Sequence, residues 1–463
     1  MNKKSSSKVD VKSIINAQRE FFNTHRTKNV EFRIAMLEKL KQGITKYEKD
    51  IIDALNKDLK KSEFESYETE IGIILEEIRL HIKNTKSWSK SQKVKTPLTL
   101  FPGKSFVVSE PYGLTLILAP WNYPFQLLMA PLIGAISAGN CVALKPSEIS
   151  EHTAHIIGHI MSETYDPNYI YTFIGGVDLN KQILQECYDY IFFTGGPVFG
   201  KIVMQSAARN LTPVTLELGG KSPCIVEDDA NIDLSAKRIT WGKYLNAGQT
   251  CIAPDYIMAQ RSITKELLER IKKYIKIFYG EDPSKSPDYP RIITDNHFAR
   301  LVNFLKDGTI YFGGENNEKE RYIAPTILTG VHPKKFIMQE EIFGPILPII
   351  EYDHLEEAID FVNKRPRPLA QYFFSENKEK QKIILEKTSF GGGCINDTVV
   401  HFINPYMPFG GVGSSGMGGY HGKKSFDTFT HNKSILKSST LFDNPLKYAP
   451  YKGKLGLLKL FVR

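Results

Sequence analysis

The 463-residue sequence is short of cysteine: five residues, Cys141, Cys187, Cys224, Cys251 and Cys394, an odd set with no CxxC and no Cys/His spacing. That pattern excludes a disulfide framework and a zinc site, implies no metal, and fits reduced thiols in a cytoplasm. A long uninterrupted apolar run is also missing. The most apolar stretch, LLMAPLIGAISAGNCVAL, contains Pro131, Gly134, Gly139 and Asn140 and runs into Lys145, so it reads as a buried helix followed by a buried strand. The start, MNKKSSSKVD, is polar and basic with no apolar segment behind it, which argues against a secretory signal and reads as a frayed end. No collagen-like, heptad or solenoid period is present. The net charge is +9, but the lysines are spread along the chain without a polybasic block or interleaved aromatics, so nucleic acid is not an expected partner.

What is present is ordinary globular material: 41% hydrophobic and 24% charged residues, in a chain long enough for two or three domains. From Val11 to Trp88 the pattern is helical, with Leu37, Leu40, Ile44, Tyr47 and Ile51 recurring at three- and four-residue steps. Short β-rich runs follow, broken by Pro97, Pro102, Gly103 and Pro111, as a hairpin arm feeding a buried strand would be. Strands and helices then alternate through LTLILAP, CVALKPSE, IYTFIGG and YDYIFFTGG, which predicts a parallel doubly wound sheet with its ligand crevice outside the carboxyl ends of the strands. A second alternating block opens near PVTLELGGKSPCIV and reaches about Gly422, and SFDTFTHNKSIL alternates at period two as a partner for the hairpin.

Cys251 closes the stretch NAGQTC. Alone it is ambiguous, because a free cysteine is usually a small buried hydrophobe. Its company changes the reading. LAPWNYPF, KPSE, FTGGPVFGK, LELGGKSP, NAGQTC, QEEIFGP and MPFGGVGSSGMGGYHGKKSFDTFTH occur in that order along the chain. Together they make the sequence resemble the aldehyde dehydrogenase superfamily from its amino-terminal helices almost to the carboxyl end. The short amino-terminal region, GQTCIAPDY and GMGGYHGKKSFDTF look most like class 3, the fatty and aromatic aldehyde branch. The resemblance implies an α/β fold with a Rossmann-type cofactor domain (1–95 and 112–217) and an α/β catalytic domain (218–422). It also implies a small β oligomerisation arm (96–111 and 423–445), beyond which lies a basic amphipathic tail (446–463).

Oxidation of an aldehyde needs a nucleophile to add first, and a thiolate is the strongest one available near neutral pH. The resemblance gives that role to Cys251, with Ala247 and Gly248 as small neighbours that let substrate and cofactor approach; the other four cysteines read as buried thiols. Asn122 of PWNYP and the Cys251 backbone N–H would stabilise the alkoxide, although Asn122 also reads as a turn residue before Pro124. Glu217, a carboxylate where a β-rich run meets two glycines, would be the base that hydrolyses the thioester; its bland reading is a strand-end partner for Lys221. Its presence favours release of a free acid over transfer to coenzyme A, the alternative within the family.

FTGGPVFGK has the spacing of a phosphate loop, Gly195, Gly200 and Lys201, but Ile202 has no hydroxyl for magnesium, which disfavours a nucleotide hydrolase. A glycine turn with Pro197 in the first helical turn, facing a diphosphate, reads better. The family more often has Ser or Asn followed by Thr where this chain has Gly196 and Pro197. By resemblance NAD, with NADP as a second option, would be held by Trp121, Lys145, Glu148, Thr194, Gly195, Gly196, Gly200, Glu341 and Phe343. Glu148 favours NAD by repelling a 2′-phosphate, and Lys145 partly compensates for NADP. Tyr123 is the candidate substrate residue, and no Arg in the motifs offers a carboxylate clamp. The tail KYAPYKGKLGLLKLFVR mixes Lys447, Lys452, Lys454 and Lys459 with Leu455, Leu457, Leu458, Leu460 and Phe461. It is too short to span a bilayer and suits weak peripheral contact with an anionic membrane, or a cap over the substrate entrance. The expected partners are therefore a small aldehyde and a second copy in a homodimer, with a non-catalytic membrane scaffold as the reading from another class.

Overall fold

The computed structural model describes residues 10–462, and side chains as far as Leu460. The expected frayed start over residues 1–9 and the side chain of Phe461 lie outside the described residues. The amino-terminal helices run Val11–Asn23, Val30–Lys46, Glu48–Leu59 and Ile73–Trp88. Asn29 starts the second by accepting the Phe32 N–H at 2.8 Å, and Leu37, Leu40, Ile44 and Ile51 are wholly buried, as their spacing predicts.

Two sheets follow. The first has six strands in the order Gly416–Met417, Val214–Glu217, Tyr190–Thr194, Leu114–Leu118, Cys141–Lys145 and Ile170–Thr172. All its pairs are parallel except the edge pair formed by Gly416–Met417. Leu114–Leu118 is flanked by the strand that follows it and by Tyr190–Thr194, so the connections diverge there and open a crevice at the carboxyl ends. Gln126–Ala138, buried along its whole length, packs beside Leu114–Leu118 and Cys141–Lys145.

The second sheet has seven strands, in the order Thr309–Phe312, Thr326–Thr329, Ile346–Tyr352, Tyr256–Gln260, Pro223–Val226, Ala370–Phe374 and Gly392–Ile395. Here the division into alternating blocks needs correction. Val214–Glu217 belongs to the first sheet, where Glu217 registers against Thr194, and the segment 218–222 crosses to Pro223–Val226 in the second. Gly416–Met417 likewise returns to the first sheet, opposite Glu217 and Leu216. Glu217 thus ends a strand at the junction of the two sheets.

The arm is a three-stranded antiparallel sheet of Gln92–Val94, Lys104–Pro111 and Thr430–Lys437. The period-two reading extended that last strand too far. Lys423–Thr428 is a short helix, because Phe426 and Phe429, three residues apart, both bury toward Gln126–Ala138, where a Cβ at Gly134 would meet Ser425 and Phe429. The tail differs too: the helix Leu455–Val462 carries one lysine, Lys459, and leaves Leu455, Leu457, Leu458 and Leu460 exposed while packing on the turn Leu98–Leu100. Lys447 pairs with Asp443 at 2.6 Å, and Lys454 donates to the carbonyls of Pro445 and Tyr448 at 2.9 Å. The tail is an apolar helix behind a basic loop. Among the described residues no helix is long and apolar enough to cross a membrane.

Candidate active site

Asn246, Ala247 and Gly248 take consecutive positive φ angles of 51°, 52° and 73° before the chain reaches Cys251. The expectation that Ala247 and Gly248 make room for ligands is not met. Ala247 is buried, and a Cβ on Gly248 would lie 2.3 Å from the Gly344 carbonyl oxygen, so glycine is required there by a close backbone approach. The turn delivers a half-buried Cys251 to a cavity of about 770 Å³, open mouth included, whose walls include Tyr123, Thr194, Glu217, Trp241, Phe402 and Phe409. Among the described residues the lining includes the carboxyls of Glu68 and Glu217 but no Lys, Arg or His, so no cation on it would clamp an acidic substrate.

Glu217 is 3% exposed, and neither carboxyl oxygen has a hydrogen-bond partner. Its reading as a partner of Lys221 fails: Lys221 pairs with Asp255 and donates to the carbonyls of Ile337 and Glu340 at 2.7 and 2.8 Å. Burial alone holds the Glu217 carboxyl well above the usual carboxylate range. Burial also raises the Cys251 thiol, helped by the charges of Glu341 and Glu217 and opposed by the backbone N–H groups of Cys251 and Ile252. Burial therefore disfavours the charged form of both groups.

Asn122, 2% exposed, sits behind this wall and is no mere turn residue. Its Nδ2 donates to the Gln249 carbonyl at 3.0 Å, which leaves one amide hydrogen free, and its own carbonyl accepts from Asn246 Nδ2 at 2.8 Å. Tyr123, next in sequence, lines the cavity and shares a 2.7 Å hydrogen bond with Thr250. Of the other cysteines, Cys141 and Cys224 are buried as expected; Cys187 is exposed, and Cys394 is half-buried with its sulfur 3.6 Å from His401 Nδ1.

Of the expected cofactor residues, Trp121, Lys145, Glu148, Thr194, Gly195 and Gly196 lie at or beyond the carboxyl ends of first-sheet strands, Gly200 lies in the helix Pro197–Ala208, and Glu341 and Phe343 precede Ile346–Tyr352. The Thr194 hydroxyl is buried without a partner, Gly196 precedes the helix Pro197–Ala208 with open space where a Cβ would be, and Gly200 brings that helix against Leu218 and Phe193. Lys145, nearly buried, donates to Pro146 O at 2.6 Å and reaches the exposed Glu148 at 3.3 Å; burial lowers its pKa. Gly195 caps the strand by donating to the Glu217 carbonyl at 3.0 Å. The Trp121 and Phe343 rings meet edge-on at 5.3 Å. Glu341 folds over Gly219, where any Cβ would strike its carboxylate, and burial, with Asp255 nearby, pushes it up to about 8. An orphan hydroxyl, an open glycine cradle and a helix start along one crevice fit a dinucleotide diphosphate.

The residues Lys61, Glu65, Glu70, Asn246 and Gln249, which bind this region together, were not singled out in the sequence. In LKKSEFESYETEIG, Lys61, Glu65 and Glu70 read as the polar face of a helix, and Asn246 and Gln249 stand in NAGQTC, singled out for its cysteine.

A two-sheet α/β frame with a thiol and a buried carboxyl on one cavity defines a class, and the family model described as the aldehyde dehydrogenase family matches residues 2–435. The chain belongs to the aldehyde dehydrogenase family and is an NAD(P)-dependent oxidoreductase that oxidises aldehydes. It is 50% identical over 445 residues to the 4,4'-diaponeurosporen-aldehyde dehydrogenase of Staphylococcus aureus, covering 96% of this chain and 97% of the relative. It is 45% identical to the dimeric NADP-preferring aldehyde dehydrogenase of Mus musculus, covering 96% and 99% of the two chains. It superposes on the substrate-bound AldH of Staphylococcus aureus with a TM-score of 0.97 at 49% identity, covering 98% of this chain and all of that one.

Proposed function

We propose that the enzyme converts hydrophobic aldehydes, medium- or long-chain aliphatic or aromatic, to free carboxylic acids through a thioester on Cys251. The observation that carries this reading is the unpartnered, buried Glu217 carboxyl on the same apolar cavity as the thiol. Ionised Glu217 takes the thiol proton as Sγ bonds to the aldehyde carbon, and the carbonyl electron pair moves to oxygen. The free Asn122 amide hydrogen and the Cys251 N–H stabilise that alkoxide. Bound NAD or NADP supplies the acceptor for the hydride. Re-formation of the C=O bond with loss of the hydride leaves a thioester. Glu217 gives up the thiol proton to solvent, then takes a proton from water as the water oxygen bonds to the acyl carbon; the C–S bond breaks, the acid departs, and the proton on Glu217 returns to the sulfur.

Trp121, Lys145, Glu148, Thr194, Gly195, Gly196, Gly200, Glu341 and Phe343 are assigned to the cofactor, and Tyr123 to substrate. The printed name of the mouse relative, dimeric and NADP-preferring, supports use of NADP as well as NAD, and pairing of two copies. The exposed strand Thr430–Lys437 supports the arm as the pairing surface. The domain division 1–95 with 112–217, 218–422, and the arm remains our reading of the chain. The exposed leucines of the tail helix, behind Lys452 and Lys459, support weak peripheral contact with an anionic membrane.

Product analysis with a panel of apolar aldehydes, with and without coenzyme A, tests the reaction. Free acid formed at full rate without coenzyme A is expected; dependence on coenzyme A with a thioester product would establish the acylating alternative.

A further inference from the structure

Behind the cavity wall lies a charged cluster that the reaction itself does not use. Lys61 and Glu70 are both 0% exposed and form an ion pair at 2.5 Å. The Lys61 ammonium lies 4.0 Å from the centroid of the Tyr123 ring and donates to the Asn122 carbonyl at 3.3 Å. The other Glu70 oxygen accepts the N–H groups of Phe125 and Gln126 at 3.0 and 3.1 Å, fixing the start of the helix that follows Asn122. Glu70 reaches this point from Tyr67–Gly72, a π-helical turn between two α-helices, a local irregularity of the kind found at functional sites.

The thiol loop is held from the same place. Glu65 Oε1 accepts the Asn246 N–H at 2.9 Å, and Asn246 donates to the Asn122 carbonyl from its side chain. Gln249 closes the circuit through Asn246 O, Arg291 O and the Ile293 N–H, while its own carbonyl takes the Asn122 amide. A buried ion pair contributes little net stability over an apolar filling, so its presence next to the 122–123 peptide calls for another reason.

We infer that Lys61, Glu70 and Glu65 are positioning residues for catalysis, which clamp the Asn122 peptide to the left-handed turn at 246–248 so that the Asn122 amide and the Cys251 sulfur keep one fixed geometry. The inference rests on the oxyanion role proposed for Asn122. None of the three touches substrate; each acts through Asn122 or Asn246. A misplacement of an ångström in such a pair is enough to cost orders of magnitude in rate.

The test compares Lys61→Met, Lys61→Met/Glu70→Gln, Asn122→Ala and the triple variant, reading the melting temperature, the aldehyde KM and the first-turnover rate of NADH formation. Lys61→Met is expected to melt low because it leaves Glu70 unpaired. The charge-neutral double variant is expected to recover the melting temperature but to stay about tenfold to a hundredfold slow, with KM changed by less than about threefold. Adding Asn122→Ala to the double variant should then slow it by far less than Asn122→Ala slows the wild type. Recovery of rate together with stability would reduce the pair to a structural role and overturn the inference. If Asn122→Ala itself runs at the wild-type rate, the oxyanion assignment fails instead. Glu65 gives an independent reading that does not depend on those proteins folding. Glu65→Ala removes the acceptor of the Asn246 N–H and should be about tenfold slow, whereas Glu65→Gln, whose amide oxygen can still accept, should restore the rate. Equal, undiminished rates for both would overturn the clamp.

Discussion

The two sides of Cys251 treat polarity in opposite ways. On the side of Asn122, two buried charges neutralise each other, and Asn122, Asn246 and Gln249 donate side-chain N–H bonds into one closed circuit. On the side of Glu217, a carboxyl and the Thr194 hydroxyl are buried with no partner at all. Both arrangements are costly to build, but side-chain donors paired in a circuit fix geometry, even though Asn246 Oδ1 is left without a partner, whereas an unpaired carboxyl or hydroxyl is left free to exchange protons or meet a ligand. On the roles proposed above, positioning and chemistry would thereby fall to different groups.

Four changes would break or sharpen that contrast. Removing the sulfur between the walls has the largest expected effect: Cys251→Ala should lower kcat by on the order of 10⁴-fold or more, followed by NADH absorbance. Glu217→Gln should reduce steady-state turnover by about 10²- to 10³-fold, and mass spectrometry of the quenched reaction should then find the acyl group on the peptide bearing Cys251. A smaller effect is on pH dependence. The folded-state pKa of Glu217 lies above its unfolded value, so the native protein holds a proton that the unfolded chain has released, and stability is lost as pH rises through the gap. Glu217→Gln should therefore raise the melting temperature, by more at pH 8 than at pH 5. In the wild type kcat/KM should climb with pH above the ordinary carboxylate range as the base form accumulates. The smallest effect belongs to the surface. Deleting 446–463 should weaken binding to anionic vesicles by roughly thirtyfold, since each basic residue near such a surface contributes about 1 kcal/mol, Lys447 is paired with Asp443 and Lys454 with two carbonyls, and Lys452 and Lys459 remain.

The sequence made the parallel sheets legible, because strand and helix periods alternate cleanly from Leu114 to Ala208. Cys251, Asn122 and Glu217 stood out through the ordered motifs that resemble the aldehyde dehydrogenase superfamily, since alone each has an ordinary structural reading. Their clamp did not. Lys61 and Glu70 sit among lysines and glutamates that periodicity assigns to solvent, and only the docking of this helical segment against Tyr123 and Phe125 buries them. The cavity walls were hidden for a related reason: Trp241, Phe402 and Phe409 come from distant parts of the chain, and aromatic residues carry no local mark that separates pocket from core. The second alternating block was read as opening at PVTLELGGKSPCIV, one strand early, because adjacent β-runs look alike until their hydrogen-bond partners are known.

The dry setting that raises the Cys251 thiol also bears on the enzyme standing without substrate. Peroxides and soft electrophiles attack thiolates, and a sulfur that keeps its hydrogen in an apolar recess is a poor target for them. If Cys251 is the nucleophile proposed above, the enzyme would thus stand without substrate with its reactive sulfur shielded from sulfenic acid formation.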